Sequence, residues 1–164
     1  MELLKSPLFV GEFELMIDEK SRLSIPAEVR RLLDPSRDGE CFFLVFGMNR
    51  RPWLYTERAY ENLAEQVPAD ISPGEEMLMY DQLTFALASR VEMDKAGRIL
   101  IPERTMRRTG LSKDMEITLF GARDHFEIWP RKVWNEFVDA NQDRIADISS
   151  RAKHARGGNS GSNN

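Results

Sequence analysis

The chain is poor in the residues that build metal centres, disulfide frameworks and membrane spans. Its 164 residues hold one cysteine, Cys41, and two histidines, His125 and His154. A lone cysteine excludes an internal disulfide and any multi-cysteine zinc or iron–sulfur site. No apolar run approaches the roughly 18–20 residues that span a bilayer. Met1–Pro7 lacks a sustained apolar stretch, so no secretory leader is expected. The expected location is the cytosol. No glycine loop is spaced to cradle a phosphate, and His125 has no cysteine or serine in a triad-like setting. No catalytic residue, metal or cofactor is therefore expected, and no small-molecule substrate. Hydrophobic residues make up 41% and charged residues 30% of the chain, an ordinary globular balance. A chain of this length buries roughly 70% of its unfolded surface, so its core requires no metal or staple.

Excess positive charge is also missing. The net charge is −4, from 23 basic and 27 acidic residues. The two halves differ: residues 1–80 carry 9 Lys/Arg against 15 Asp/Glu, and residues 81–164 carry 14 against 12. A polyanion partner is compatible with that balance only through a concentrated basic patch, multiplied by self-association.

What the chain does have is a repeat. Asp18-Glu-Lys-Ser-Arg22-Leu-Ser-Ile25-Pro26 returns 76 residues later as Asp94-Lys-Ala-Gly-Arg98-Ile-Leu-Ile101-Pro102. With Arg31 on Arg107, 5 of 14 positions agree, where average residue usage predicts roughly one. After a shift of two residues the match resumes: Gly47 answers Gly121, Leu54 answers Ile128, Tyr55 answers Trp129 and Tyr60 answers Trp134. The extra residues fall in Asp34–Gly39, a run of turn formers read as a loop. Units this small rarely bury a core alone, so the copies are expected to pack together.

Both copies read alike. Residues 12–17 and 90–93 alternate apolar and polar as half-buried strands. A tight turn follows, with Gly97 suited to positive φ and Ser21 strained there. Strands 22–25 and 98–101 lead to Pro26 and Pro102, which open helices 27–33 and 103–109, the second closed by Gly110. Strands 41–46, 116–120, 53–55 and 126–129 complete the units. Helix 57–67 precedes a second helix at about 73–88, begun by Ser72 and Pro73 with Glu75 as a capping box. Met77, Tyr80, Leu83, Phe85 and Leu87 are its apolar cover. Val133, Trp134, Phe137, Val138, Ile145 and Ile148 recur at helical spacing. The Gly/Ser/Asn run at the C-terminus is expected to be disordered.

Two copies of strand, Asp-x-x-x-Arg turn, strand, Ile-Pro and short helix, each followed by a Leu/Ile-aromatic strand, resemble the MraZ family over roughly Phe9–Val138. The resemblance implies an α+β, β-rich fold: two tandem swapped-hairpin AbrB-like units in a pseudo-two-fold barrel with flanking helices. It implies units at 12–57 and 88–131, a helical connector at 58–87, a C-terminal helix at 132–153 and a tail at 154–164. It further implies a transcriptional regulator that is a ring-shaped homo-oligomer on the nucleoid. Its target would be double-stranded DNA with repeated boxes upstream of the bacterial division and cell-wall gene cluster.

The motif residues allow two roles. Arginine suits phosphate because its planar fork donates paired hydrogen bonds and never loses charge. Arg22 and Arg98, with Lys20 and Lys95 at the turn tips, are the candidate DNA contacts, chiefly to phosphates. Asp18 and Asp94 are orienting partners, since carboxylates repel phosphate. The alternative is a structural Asp–Arg staple. Arg30, Arg31, Arg107 and Arg108 read as a solvated helix face. Cys41 lies in an apolar run and reads as a buried thiol. Met77–Met79 and Trp53, Trp129 and Trp134 read as core or subunit contact. Competing with the regulator are an antitoxin-like protein-interaction scaffold acting through its tail and, less well supported, an enzyme using Asp18 and Asp94.

Overall fold

The computed structural model describes residues 6–67 and 71–157. The first copy runs β1 (Glu12–Met16), β2 (Arg22–Ser24), α1 (Ala27–Leu32), α2 (Pro35–Asp38), β3 (Phe42–Phe46), β4 (Pro52–Thr56) and α3 (Glu57–Glu65). Helix α4 (Glu75–Ala86) follows. The second copy runs β5 (Ser89–Val91), β6 (Arg98–Leu100), α5 (Glu103–Thr109), β7 (Glu116–Gly121) and β8 (Phe126–Pro130). Helix α6 (Arg131–Asn141), a 3-10 turn (Gln142–Arg144) and α7 (Ile145–Gly157) end the described chain. The fold is mixed α+β with an antiparallel sheet.

The copies are built into one another. The six-stranded sheet has the order β1-β7-β8-β4-β3-β5. β1 of the first copy pairs with β7 of the second, from Glu12 opposite Phe120 to Met16 opposite Glu116. β5 of the second pairs with β3 of the first. β2 and β6 leave the sheet and pair only with each other, Arg22 opposite Leu100 and Ser24 opposite Arg98. Because those strands form a separate ribbon, β1 and β5 end the sheet, and among the described residues the expected barrel does not close.

Alternation along the ribbon directs Leu23 and Ile99 inward, both fully buried, and Arg22, Ser24, Arg98 and Leu100 to the opposite face. Leu23 and Ile99 join Ile25, Ile101, Ile17, Leu44, Leu54, Ile117, Leu119 and Ile128 in one core. Each such side chain contributes up to about 1.5–3 kcal/mol. Cys41 is buried, as its apolar setting predicts, and accepts a hydrogen bond from Arg90 Nε at 3.0 Å. Burial pushes its thiol pKa up, away from nucleophile chemistry.

Several expectations change. Pro26 and Pro102 are N-caps with extended ψ of 140° and 138° rather than first helical residues, while the helices themselves start at Ala27 and Glu103 as the sequence predicts. Asp34–Gly39 is not a plain loop. Asp34 caps the one-turn helix α2 by accepting from the Ser36 N–H at 2.8 Å, and Pro35 occupies its first turn. Helix α4 begins at Glu75 with Gly74 as N-cap, two residues past the position that the capping-box reading gave Pro73. Its apolar residues cover the core only in part: α4 has no buried residue, Met77, Leu83 and Phe85 are exposed and Tyr80 and Leu87 half-buried, although Phe85 meets the buried Tyr60 ring at 5.9 Å and Tyr60 donates to Thr84 O at 3.2 Å.

By contacts the chain divides into two compact units, one ending at Arg131 and one starting at Lys132. In the second, Trp134 stacks on Phe137 at 5.8 Å. Helix α7 extends to Gly157, so residues 154–157 are helical rather than disordered. The rest of the expected tail, 158–164, lies outside the described residues, as do Met1–Lys5.

Candidate functional site

Each Asp-x-x-x-Arg segment is a three-residue hairpin turn closed by a residue in the left-handed region. In the first, Ser21 N–H donates to Asp18 O at 3.0 Å and Asp18 N–H to Arg22 O at 2.9 Å. In the second, Gly97 and Asp94 repeat these bonds at 2.9 and 2.8 Å. The closing φ is 64° at Ser21 and 77° at Gly97. The turn therefore keeps its shape despite serine, at a strain of about 1 kcal/mol. The ribbon holds both residues: Ile101 N–H donates to Ser21 O at 2.8 Å and Ile25 N–H to Gly97 O at 2.9 Å.

The aspartates order the arginines. Asp18 Oδ1 accepts from the backbone N–H of Lys20 (2.9 Å) and Arg22 (2.8 Å), while Oδ2 accepts from Arg22 Nε at 2.7 Å. Asp94 does the same with Ala96, Arg98 and Arg98 Nε at 2.9, 3.0 and 2.8 Å. The backbone N–H of each arginine, then its guanidinium and the second backbone donor, hold both carboxyls below the usual carboxylate range. The staple thus exists, but it uses one edge of each guanidinium. Arginine has five N–H donors, and the remainder are left for a ligand on the outer face.

Arg22 and Arg98 share that face on diagonal positions of adjacent strands, roughly 7–8 Å apart at the backbone. Lys20 and Lys95 are exposed beside them at opposite ends of the ribbon. The same antiparallel layout separates Asp18 from Asp94, each engaged with its own arginine. Two carboxylates acting on one substrate have no geometric basis there. The ribbon can offer an anion two anchored guanidinium edges.

A second cluster escaped the sequence reading. His125 is buried between two carboxylates: Nδ1 lies 2.8 Å from Asp124 Oδ1 and Nε2 lies 3.3 Å from Glu127 Oε1. Its ring stacks on Trp53 at 4.4 Å and Tyr55 at 5.0 Å. Glu127, also buried, accepts from Asn49 Nδ2 at 2.8 Å and Trp129 Nε1 at 2.7 Å. Burial alone pulls the His125 pKa down. The hydrogen bonds and charges of Glu127 and Asp124 outweigh it, and the net shift is upward. Burial pushes Glu127 up, but donation from His125, Trp129 and Asn49 leaves it lowered. The two-residue His125-x-Glu127 spacing was the available signal, His125 standing immediately before β8 and Glu127 within it.

The raised His125 pKa adds stability that is complete below about pH 6.5 and is lost as pH rises through the folded-state value. Glu127 adds stability that is complete above about pH 4.3 and is lost on acidification through its lowered value. The urea midpoint is expected to decline from pH 6 towards pH 9 in the native chain, and His125→Gln is expected to flatten that decline. An equally steep decline in the variant would assign it to other groups.

The fold and the site define a class: tandem-duplicated α+β proteins whose copies exchange strands and share one arginine-bearing ribbon. Within that class the chain belongs to the MraZ family. A family model described as "MraZ protein, putative antitoxin-like" matches residues 84–156. "Transcriptional regulator MraZ" of Mycoplasmoides gallisepticum is 32% identical over 142 residues, covering 87% of this chain and 95% of the relative. The protein of that name from Dictyoglomus thermophilum is 37% identical over 131 residues, 79% of this chain and 84% of the relative. That from Clostridium tetani is 31% identical over 136 residues, 83% and 91% respectively.

Proposed function

We propose that this chain is a DNA-binding transcriptional regulator, with the outer face of the β2–β6 ribbon as its DNA contact. The observation that carries the reading is the pair of aspartate-anchored arginines, Arg22 and Arg98, on one exposed face. A B-DNA major groove about 12 Å wide admits a two-stranded ribbon. Lys20 and Lys95 add positive charge at its ends. Asp18 and Asp94 orient the arginines and do not touch DNA. The relatives' shared name, transcriptional regulator, supports the same assignment. The target is double-stranded DNA with repeated boxes, upstream of a division and cell-wall gene cluster, and the setting is the cytoplasm and nucleoid. Among the described residues no helix is long and apolar enough to cross a membrane. No catalysis is assigned.

The same reading takes the copies as swapped-hairpin AbrB-like units at 12–57 and 88–131, with a connector at 58–87 and a C-terminal helix from 132. The cross-copy pairing of β1 with β7 and β5 with β3 supports it. Protomers assemble into a ring, with α4 as a subunit contact. Large apolar side chains on a helix are ordinarily covered, whereas α4 exposes Met79 at 51% and Leu83 at 56%. Met79→Glu with Leu83→Glu is expected to lower the assembled mass in light scattering while circular dichroism stays unchanged; an unaltered mass would remove α4 from the interface.

The regulator reading is tested by gel shift with the DNA upstream of the protein's own gene. Binding is expected to weaken steeply between about 50 and 200 mM salt, because several phosphates are neutralised together. Failure to shift that DNA at low salt would defeat the reading. Linked protomers raise the effective concentration of each further contact, which lets an acidic chain hold DNA through local patches.

A further inference from the structure

We infer that a second phosphate-binding surface lies away from the ribbon, where the β3–β4 loop meets the C-terminal end of α5, and that it takes the backbone of a nucleic acid. This rests on the regulator reading above. Arg50 and Arg51 from the loop and Arg107 and Arg108 from α5 line a concave site of about 390 Å³, with Asn49, Thr109 and Gly110 but no carboxylate in its wall. The loop comes from the first copy and the helix from the second, so only the interleaved fold brings the four arginines together.

The site is held in shape. Arg51 Nη1 donates to Thr109 O at 3.3 Å, and its guanidinium lies 5.6 Å from the centre of the Trp129 ring. Asn49 Oδ1 accepts from the Arg51 backbone N–H at 3.2 Å and Trp53 Nε1 at 3.0 Å. Arg50, Arg107 and Arg108, by contrast, have no ion-pair partner among the described residues. Glu103 lies four residues before Arg107, where a helical pair would form, yet no ion pair joins them. Arg104, Arg107 and Arg108 put like charges on neighbouring positions of one helix, which is unfavourable until a counter-ion arrives.

The fold does not demand these arginines. In the duplicated alignment Arg50 answers Asp124, Arg51 answers His125 and Arg108 answers Leu32; only Arg107 answers another arginine, Arg31. The companion copy therefore folds with other residues at three of the four positions. Helix-dipole compensation accounts for cations in the last turn of α5, but not for Arg50 and Arg51 converging on it from another strand connection. An open, carboxylate-free wall of guanidinium groups fits a phosphodiester chain passing across it, to which arginine donates paired hydrogen bonds.

The test uses the full-length assembled protein, with fluorescence anisotropy on a random-sequence duplex and on the duplex from upstream of its gene, across a salt series. Arg50→Ala with Arg108→Ala is expected to weaken both about tenfold at ~0.1 M salt and to lower the salt slope by about two per engaged protomer. Assembled mass and thermal midpoint are expected to stay unchanged. Arg50→Lys with Arg108→Lys is expected to restore the slope. If the native protein binds both duplexes and the alanine variant matches it in affinity and slope, the second surface is refuted and the regulator reading stands. A changed mass would refute it too, by making the cluster a contact between copies. Failure of the native protein to bind either duplex would refute both readings together.

Discussion

Arg22→Ala combined with Arg98→Ala is expected to lose DNA binding across all sequences, by roughly 100-fold or more at ~0.1 M salt. On the proposed ribbon contact each protomer would forfeit two charge-assisted contacts, and the proposed assembly would multiply the deficit by the number of protomers on the DNA. The loss should be sequence-independent, because phosphate contacts set register and affinity while base edges set preference. Fold and assembly should survive. Neither guanidinium lies in the core, and Asp18 and Asp94 still accept two backbone N–H bonds each once the arginine side chain is gone. Anisotropy titration beside circular dichroism and light scattering checks both halves of the claim. Unfolding or dissociation of the double variant would show that the Asp–Arg staple is there for stability alone.

The largest stability loss is expected from Gly121→Ala. A Cβ at Gly121 would lie 2.4 Å from the Phe9 carbonyl carbon and 2.5 Å from both Phe9 O and Val10 N. These are backbone atoms and cannot swing aside. They belong to a segment tied down by the Phe9 N–H bond to Arg123 O at 2.9 Å and the Gly121 N–H bond to Gly11 O at 2.9 Å. Relief requires that segment to lift, which also pulls the buried Phe9 ring from Phe126, 4.4 Å away. Overpacking of this kind costs about 3 kcal/mol, or roughly 6–12 °C in thermal midpoint for a chain of this size. A shift under about 2 °C would mean that the segment yields easily. Gly47, the duplicate of Gly121, meets the Trp53 indole instead, at 2.2 Å from Nε1. The repeated glycine keeps a bare backbone in both copies, under different neighbours.

Local structure was largely legible because its signals are local. Two-residue alternation marked the strands, and the Asp-x-x-x-Arg segments marked turns that the hydrogen bonds of Asp18 and Asp94 bear out. Partner choice was not legible. Periodicity says which face of β1 is apolar, not that β7 of the other copy receives it. The errors at the connector share a cause: Ser72 and Pro73 satisfy a local capping pattern, and only the three-dimensional path starts the helix after Gly74. Met77 and Leu83 have the spacing of core residues, yet both are exposed, because periodicity does not say how closely a helix is laid against the sheet. The arginines divide likewise. Arg22 and Arg98 stood out because duplication repeats them; Arg50 and Arg51 did not, since their relation to Arg107 and Arg108 spans both copies.

Joining both copies on one polypeptide has a final consequence. A dimer of a single unit carries the same residues at either end of its ribbon, and its preferred target mirrors that symmetry as a palindrome. Here one turn closes on Ser21 and the other on Gly97, and Lys20 at one tip is answered by Ala96 while Lys95 at the other is answered by Glu19. The ribbon has a head and a tail. On the proposed ribbon contact, a protomer with such polarity would distinguish the two directions along a duplex, and its sites would all point the same way.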